Sequence, residues 1–173
     1  AGADNLKAQN KVGVFDVNYA LPQLPDYKRA QSELEIYQKK LQEGLQAKQL
    51  DLQKLYDQVQ GLGPDAPQAQ RQELGNKLQV GQEELQKAQQ DAQTQFGKKQ
   101  TELLEPLYKT LQDKINEVAK ENGFSYVLRL EASLFEPENS NISDMVLKKM
   151  GVTPIANQGE GRNNSGSASS DNK

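Results

Sequence analysis

The side chains that could do chemistry are few. The chain has no histidine and no cysteine, and no tryptophan either. Imidazole acid–base catalysis, thiol nucleophiles and thiolate or imidazole metal sites therefore have no donors here. Asp16, set among apolar residues in KVGVFDVN, is the one carboxylate placed like a catalytic group. Its position at the end of an apolar run fits a structural hydrogen-bonding role better. Glu83-Glu84 and Lys98-Lys99 are charge pairs of the kind a solvated helix face carries. No glycine-rich phosphate loop or nucleophile elbow is present. Catalytic, metal and cofactor residues are therefore expected to be none, and an enzyme is the class least expected.

Composition points to long helices. Only 35% of the 173 residues are hydrophobic, and mean hydropathy is -0.86. An amphipathic helix needs only a narrow apolar stripe, so such a chain can still pack. Net charge is -3 with both signs interspersed, which argues against a nucleic-acid partner. No apolar run approaches the ~20 residues that cross a bilayer, so no integral membrane span is expected. The chain starts at Ala1 rather than Met, as a mature form does after signal removal.

The stretch VQGLGPDAPQAQ divides the helical pattern, with two glycines and two prolines between Gly61 and Pro67. Before it, apolar residues fall at Ala30, Leu34, Tyr37, Leu41, Leu45, Leu52, Leu55, Val59 and Leu62. After it they fall at Leu74, Leu78, Gly81, Leu85, Ala88 and Ala92, then at Phe96, Leu103, Leu107, Leu111, Ile115 and Val118. Steps of three and four make each series one helical stripe. Residues 26–60 would span ~52 Å and 67–105 ~58 Å at helical rise. Limbs of matching length joined by a short Gly/Pro loop predict an antiparallel coiled-coil hairpin. Asp26 is read as the N-cap of its first helix. Pro106 lies inside the second helical run and is expected to act as a hinge.

The flanks read differently. KVGVFDVN predicts a strand buried on both faces, and FSYVLRL a second strand after the helix stop at Asn122-Gly123. EPENSN reads as a loop, and ISDMVLKKMG as a short helix starting near Ser143 or Asp144. The division that follows has residues 1–10 as a loose N-terminus and 26–106 as the arm, with its tip at 61–67. Residues 11–25 and 107–154 form the body, and 155–173 a disordered Gly/Ser/Asn-rich tail. A body of about 60 residues with two strands is marginal alone. Several chains are expected to pool their strands, through Val12, Val14, Phe15, Val17, Tyr126, Leu128 and Leu130. The fold class is mainly α with a small β part, α+β.

KVGVFDVNYAL, the long Gln/Lys/Glu hairpin and GFSYVLRLEASLFEPENSNISDMVLKKMG together resemble the Skp/OmpH family of periplasmic chaperones. The resemblance spans about residues 11–154, and the closing stretch is its more specific part. It implies a homotrimer, in which a small intermolecular β-barrel carries three hairpin arms. It also implies that the arms enclose unfolded outer-membrane β-barrel proteins in the periplasm, without ATP or another cofactor. Relatives often have basic arms with a proposed lipopolysaccharide patch. Between Asp26 and Glu105 this chain has 11 Lys/Arg against 13 Asp/Glu, so no lipid site carries over.

A holdase needs apolar side chains that pairing of the two limbs does not consume. Those off the stripe are Ile36, Leu50, Tyr56, Val80, Leu104 and Tyr108, and each could instead pack beside the seam. An alternative is a structural or adaptor protein whose hairpin tip docks on a partner. Efflux adaptors of that kind carry more β-structure than this chain offers. A prefoldin-like cytosolic chaperone would need β-hairpins where only GLGPDAP stands.

Overall fold

Two long helices dominate the computed structural model, which describes residues 10–155. Strand β1 spans Lys11–Phe15, helix α1 Val17–Ala20, α2 Pro25–Gln60, α3 Gln68–Glu121, β2 Phe124–Arg129 and α4 Ser143–Lys149. Short 3-10 turns lie at Leu21–Gln23 and Leu130–Ala132. The expected loose N-terminus and polar tail lie outside the described residues, apart from Asn10 and Ile155. By its contacts the chain forms two compact units, Pro25–Asp113 and the remainder, the division falling within α3.

In the first unit, helical periodicity governs burial. Every stripe residue from Ala30 to Leu62 and from Leu74 to Leu111 is buried or half-buried, while their helical neighbours are largely exposed. Contacts across the hairpin set an antiparallel register. Tyr37 Oη donates to Gln95 Oε1 at 3.3 Å, and Lys48 Nζ lies 3.6 Å from a Glu84 oxygen. The tip closes on itself: Arg71 donates to the carbonyls of Gly63 and Pro64, and Ala66 N–H bonds Gly63 O at 3.1 Å. Asp26 is not the cap of α2, because the helix begins one residue earlier with Pro25 at its first position. Proline's fixed φ and missing N–H suit that position. Asp26 sits in the first turn instead and pairs with Arg29 at 2.8 Å. Helix α3 is continuous through Pro106, where Thr110 Oγ1 donates to the Pro106 carbonyl at 3.0 Å.

The second unit is built around β1. Its one named sheet pairs β1 with β2 in parallel, Val12 opposite Tyr126 and Val14 opposite Leu128. On the other edge, Val14 N–H bonds Ser140 O and Ile142 N–H bonds Val14 O, both at 2.9 Å. The polar run EPENSN thus ends in a β-bridge between Val14 and Asn141, where a loop was expected. Polar composition hides this pairing, because it is made by backbone groups alone. Val14, Phe15, Ala20, Leu21, Leu24, Val118, Phe124, Ile142, Val146 and Leu147 form the core. Gly13 makes room for the Phe124 ring, whose Cδ1 would stand 3.0 Å from a β-carbon there.

Helix α3 ends where Gly123 takes φ 72°, a conformation that glycine adopts without steric cost. Asn122 Nδ2 satisfies the Val118 carbonyl at 2.8 Å. Lys149 of α4 pairs with Glu121 at that helix end, and the carboxylate holds the lysine pKa above its ordinary value. Strand β1 is not buried on both faces along its length: Lys11 and Val12 are exposed, and burial begins at Gly13. It stops at Phe15, because Asp16 Oδ1 accepts Tyr19 N–H at 2.9 Å and starts a helix. Val17 therefore lies in α1 rather than in a strand. Leu130, expected at the end of the second strand, opens the 3-10 turn after β2.

Candidate functional site

The hairpin's seam is satisfied from within. What it leaves outside decides what else it can touch. Ile36 is 68% exposed, Leu50 56%, Val80 52%, Tyr108 45% and Tyr56 37%. All are off-stripe positions, so helical phase sets them beside or outside the seam rather than in it. Leu104 departs from this set. It is half-buried, as is the stripe residue Leu103 beside it. Tyr56 is not wholly free either, since its hydroxyl accepts a hydrogen bond from Gln82 Nε2 across the hairpin.

The ion pairs along the hairpin mostly span one helical turn. Lys77 bonds Glu73 at 2.6 Å and Lys99 bonds Glu102 at 3.0 Å. Hydrogen bonding from Lys77 holds the Glu73 carboxyl below its usual range, and Glu102 holds the Lys99 ammonium above its own. Exposed pairs of this kind contribute little to stability. They keep the surface soluble while leaving the apolar side chains between them uncovered. No group of three His, Cys, Asp or Glu among the described residues could hold a metal ion.

A second apolar surface lies on the sheet unit. Val14 and Phe15 are consumed by the chain's own core, at 4% and 3% exposure, whereas Tyr126 is 62% exposed. Val12 and Leu128 are also exposed, and Val17 and Leu130 are half-buried. Among the described residues β2 is paired on one edge only, the edge that β1 occupies. Beyond β2 in the chain, Leu134 is fully exposed and Phe135 80% exposed. The Ser133 hydroxyl fixes their turn by donating to Phe135 O at 2.6 Å. The sequence reading passed over this Leu-Phe pair because two adjacent apolar residues carry no period. Their signal was composition alone, a large apolar dipeptide opening a polar loop.

Asp16, the one carboxylate placed like a catalytic group, is a structural residue. It caps α1, and its N–H donates to the Ser143 hydroxyl at 2.8 Å. Ser143 is buried at 1% exposure, yet it is satisfied, its own N–H bonding Asn141 Oδ1 at 3.0 Å. Tyr19 and Gln23 then clasp the segment that follows α4, at Ile155. Tyr19 Oη donates toward Asp144 Oδ1 at 2.9 Å and the Ile155 carbonyl at 2.6 Å. Ile155 N–H donates to Gln23 Oε1 at 2.8 Å. Ile155, read as the first residue of a disordered tail, is thus bonded at both its backbone groups.

Three comparisons with known proteins bear on this geometry. Residues 11–150 match the family described as outer membrane protein (OmpH-like). The chaperone protein Skp of Photorhabdus laumondii subsp. laumondii is 26% identical over 144 residues, covering 83% of this chain and 87% of that protein. Skp of Photorhabdus luminescens matches at the same identity and coverage. A crystal structure assigned as an OmpH-like outer membrane chaperone, from Caulobacter crescentus CB15, superposes with a TM-score of 0.72 at 17% identity. It covers 87% of this chain and 89% of that one. That likeness extends the match from sequence to fold: long helices with a small two-stranded sheet. The chain belongs to the OmpH-like outer membrane protein family, whose matched relatives are chaperones rather than enzymes.

Proposed function

We propose that this protein is an ATP-independent holdase, which keeps unfolded outer-membrane β-barrel proteins soluble in the periplasm between its helical arms. The observation that carries the reading is the division of labour on the hairpin. Its stripe residues pair the limbs, and five large apolar side chains, Ile36, Leu50, Tyr56, Val80 and Tyr108, remain exposed among solvated charges. Scattered contacts of this kind hold many sequences weakly, where one deep pocket would select a single ligand. Family membership supports the same class, and no helix among the described residues is long and apolar enough to cross a membrane.

The holdase works as a homotrimer whose sheets join through β2. Val12 and its cross-strand partner Tyr126, with Leu128 and, a few residues on, Leu134 and Phe135, supply exposed apolar surface on this unit, where β2 has one open edge. An open apolar edge is a liability unless another chain covers it. A tip-docking adaptor is favoured less, because Leu62, the tip's one large apolar residue, is half-buried and Arg71 closes the loop. The test combines light scattering with an aggregation assay. An unfolded outer-membrane β-barrel protein is diluted from urea in the presence of the protein. A trimer that suppresses aggregation at about one oligomer per client is expected. A monomer, or no suppression, would refute the reading.

A further inference from the structure

Gly81 occupies a stripe position of α3 whose neighbours in the series, Leu74, Leu78 and Leu85, all carry leucine. Its missing side chain lets Leu52 of α2 lie against the α3 backbone: a β-carbon at Gly81 would stand 3.0 Å from Leu52 Cδ1 and 3.7 Å from Leu55 Cδ1. Beside this close approach the hairpin surface opens into a groove of about 470 Å³, walled by Leu52, Leu55 and Val80. Val80 stays 52% exposed there. The volume falls in the range of small-ligand sites.

The rim decides the guest. Lys48 and Glu84 are paired at 3.6 Å and Lys77 and Glu73 at 2.6 Å, and Asp51, the third carboxylate of the rim, is paired with Lys54 at 3.4 Å, each side chain half to three-quarters exposed. A cationic or anionic guest would have to compete with a partner already in place. An uncharged guest displaces none of these pairs and covers hydrocarbon that is otherwise wet. We infer that this groove is a subsite for one uncharged, apolar side chain, aromatic or large aliphatic, carried on an extended segment of an unfolded client. The inference rests on the holdase reading for the source of that segment. An outer-membrane strand alternates apolar with polar residues, so one side chain can enter the groove while its neighbours face the charged rim.

The probe is a blocked five-residue peptide alternating Thr and Phe, titrated into the full chain with its Leu and Val methyl groups labelled for NMR. Shifts should concentrate on Leu52, Leu55 and Val80, and the same peptide with Asp in place of Phe should leave these signals still. Val80→Ser, which leaves the seam untouched, should weaken binding by about tenfold, from the buried methyl groups it removes. Silent groove methyls, equal shifts with the Asp peptide, or unchanged affinity in Val80→Ser would each overturn the inference. The aggregation assay separates the two ideas. If wild type protects the client while the groove methyls stay silent, only the subsite is lost. If wild type does not protect, the holdase reading itself falls.

Discussion

Val14 and Leu128 stand opposite each other in the parallel β1–β2 pair, yet Val14 is 4% exposed and Leu128 46%. Val14 is covered from its own chain, with β2 on one edge and the Ser140–Ile142 segment on the other. Leu128 faces outward on a strand with one edge open. Two substitutions of the same kind should therefore act at different levels. Val14→Asp buries an unpaired charge, costing about 3–5 kcal/mol, and should unfold the sheet unit. Leu128→Asp should leave that unit folded in each protomer but reduce the particle mass in light scattering. If Leu128→Asp keeps the wild-type mass, assembly does not run through β2.

The Tyr19 clasp should be worth measuring on its own. Tyr19→Phe removes the hydroxyl that reaches Asp144 and the Ile155 carbonyl, at an expected cost of about 0.5–1.5 kcal/mol. A fall of about 2–4 °C in Tm would follow for a chain of this length. Burial raises the tyrosine pKa, and the Asp144 carboxylate raises it further, against an opposing bond from Gln23. The protonated form is thus the one the fold favours. Its contribution is full below the ordinary tyrosine pKa and is lost as pH rises through the raised value. The gap in stability between wild type and Tyr19→Phe should be constant near neutrality and close in strong alkali. A gap that stays open there would show that the hydroxyl proton is not what holds the clasp.

The hairpin was legible in the sequence because a 3.6-residue period fixes which side chains meet. Residues such as Leu41, Leu85 and Phe96 have no other way to be buried. The same phase rule set Ile36, Leu50 and Val80 outside the seam, and their exposure agrees with it. Leu104 escaped the rule: it is half-buried although it lies off the stripe. The sheet unit was harder, because its organisation depends on backbone pairing between distant segments. Val17 read as a strand residue until the Asp16 cap turned the chain into helix. Asn141 gave no sign of bridging Val14, since nothing in a polar loop encodes which carbonyl it will meet. The exposed surface at Leu134 and Phe135 was invisible to period counting for the same reason that it matters: it belongs to no stripe.

Pro106 offers a test of arm mechanics. It contributes no N–H to α3, although the helix runs on through it. Replacement by Ala adds one donor and removes the ring's clash with the preceding turn. Thermal stability should rise or hold level. Spin labels placed near Pro64 on the arm tips of an assembled oligomer should then give a narrower distance distribution. An unchanged distribution would move the origin of arm motion elsewhere along the helices.

The last prediction asks what the hairpin is for. Ile36 and Leu50 are the two most exposed large apolar residues of α2, at 68% and 56%. They lie fourteen residues apart, about 21 Å along the helix and nearly on one face. Neither contributes to the seam, so Ile36→Ser with Leu50→Ser should spare both the coiled coil and the oligomer. Tyr56 is left in place because its hydroxyl also ties α2 to Gln82. Each lost contact removes up to about 1.5–3 kcal/mol if the client buries the side chain fully, and less if contact is transient. A client that stays mobile loses little entropy on binding, so even a partial loss should appear as faster release. The double variant should need more oligomer than wild type to suppress aggregation of an outer-membrane β-barrel protein diluted from urea. Leu62→Ser with Asp65→Ala at the tip should protect as well as wild type, because an enclosed client is held along the arms. If the tip variant fails while the Ile36, Leu50 variant protects normally, the hairpin is a docking rod, and the adaptor reading replaces the cage.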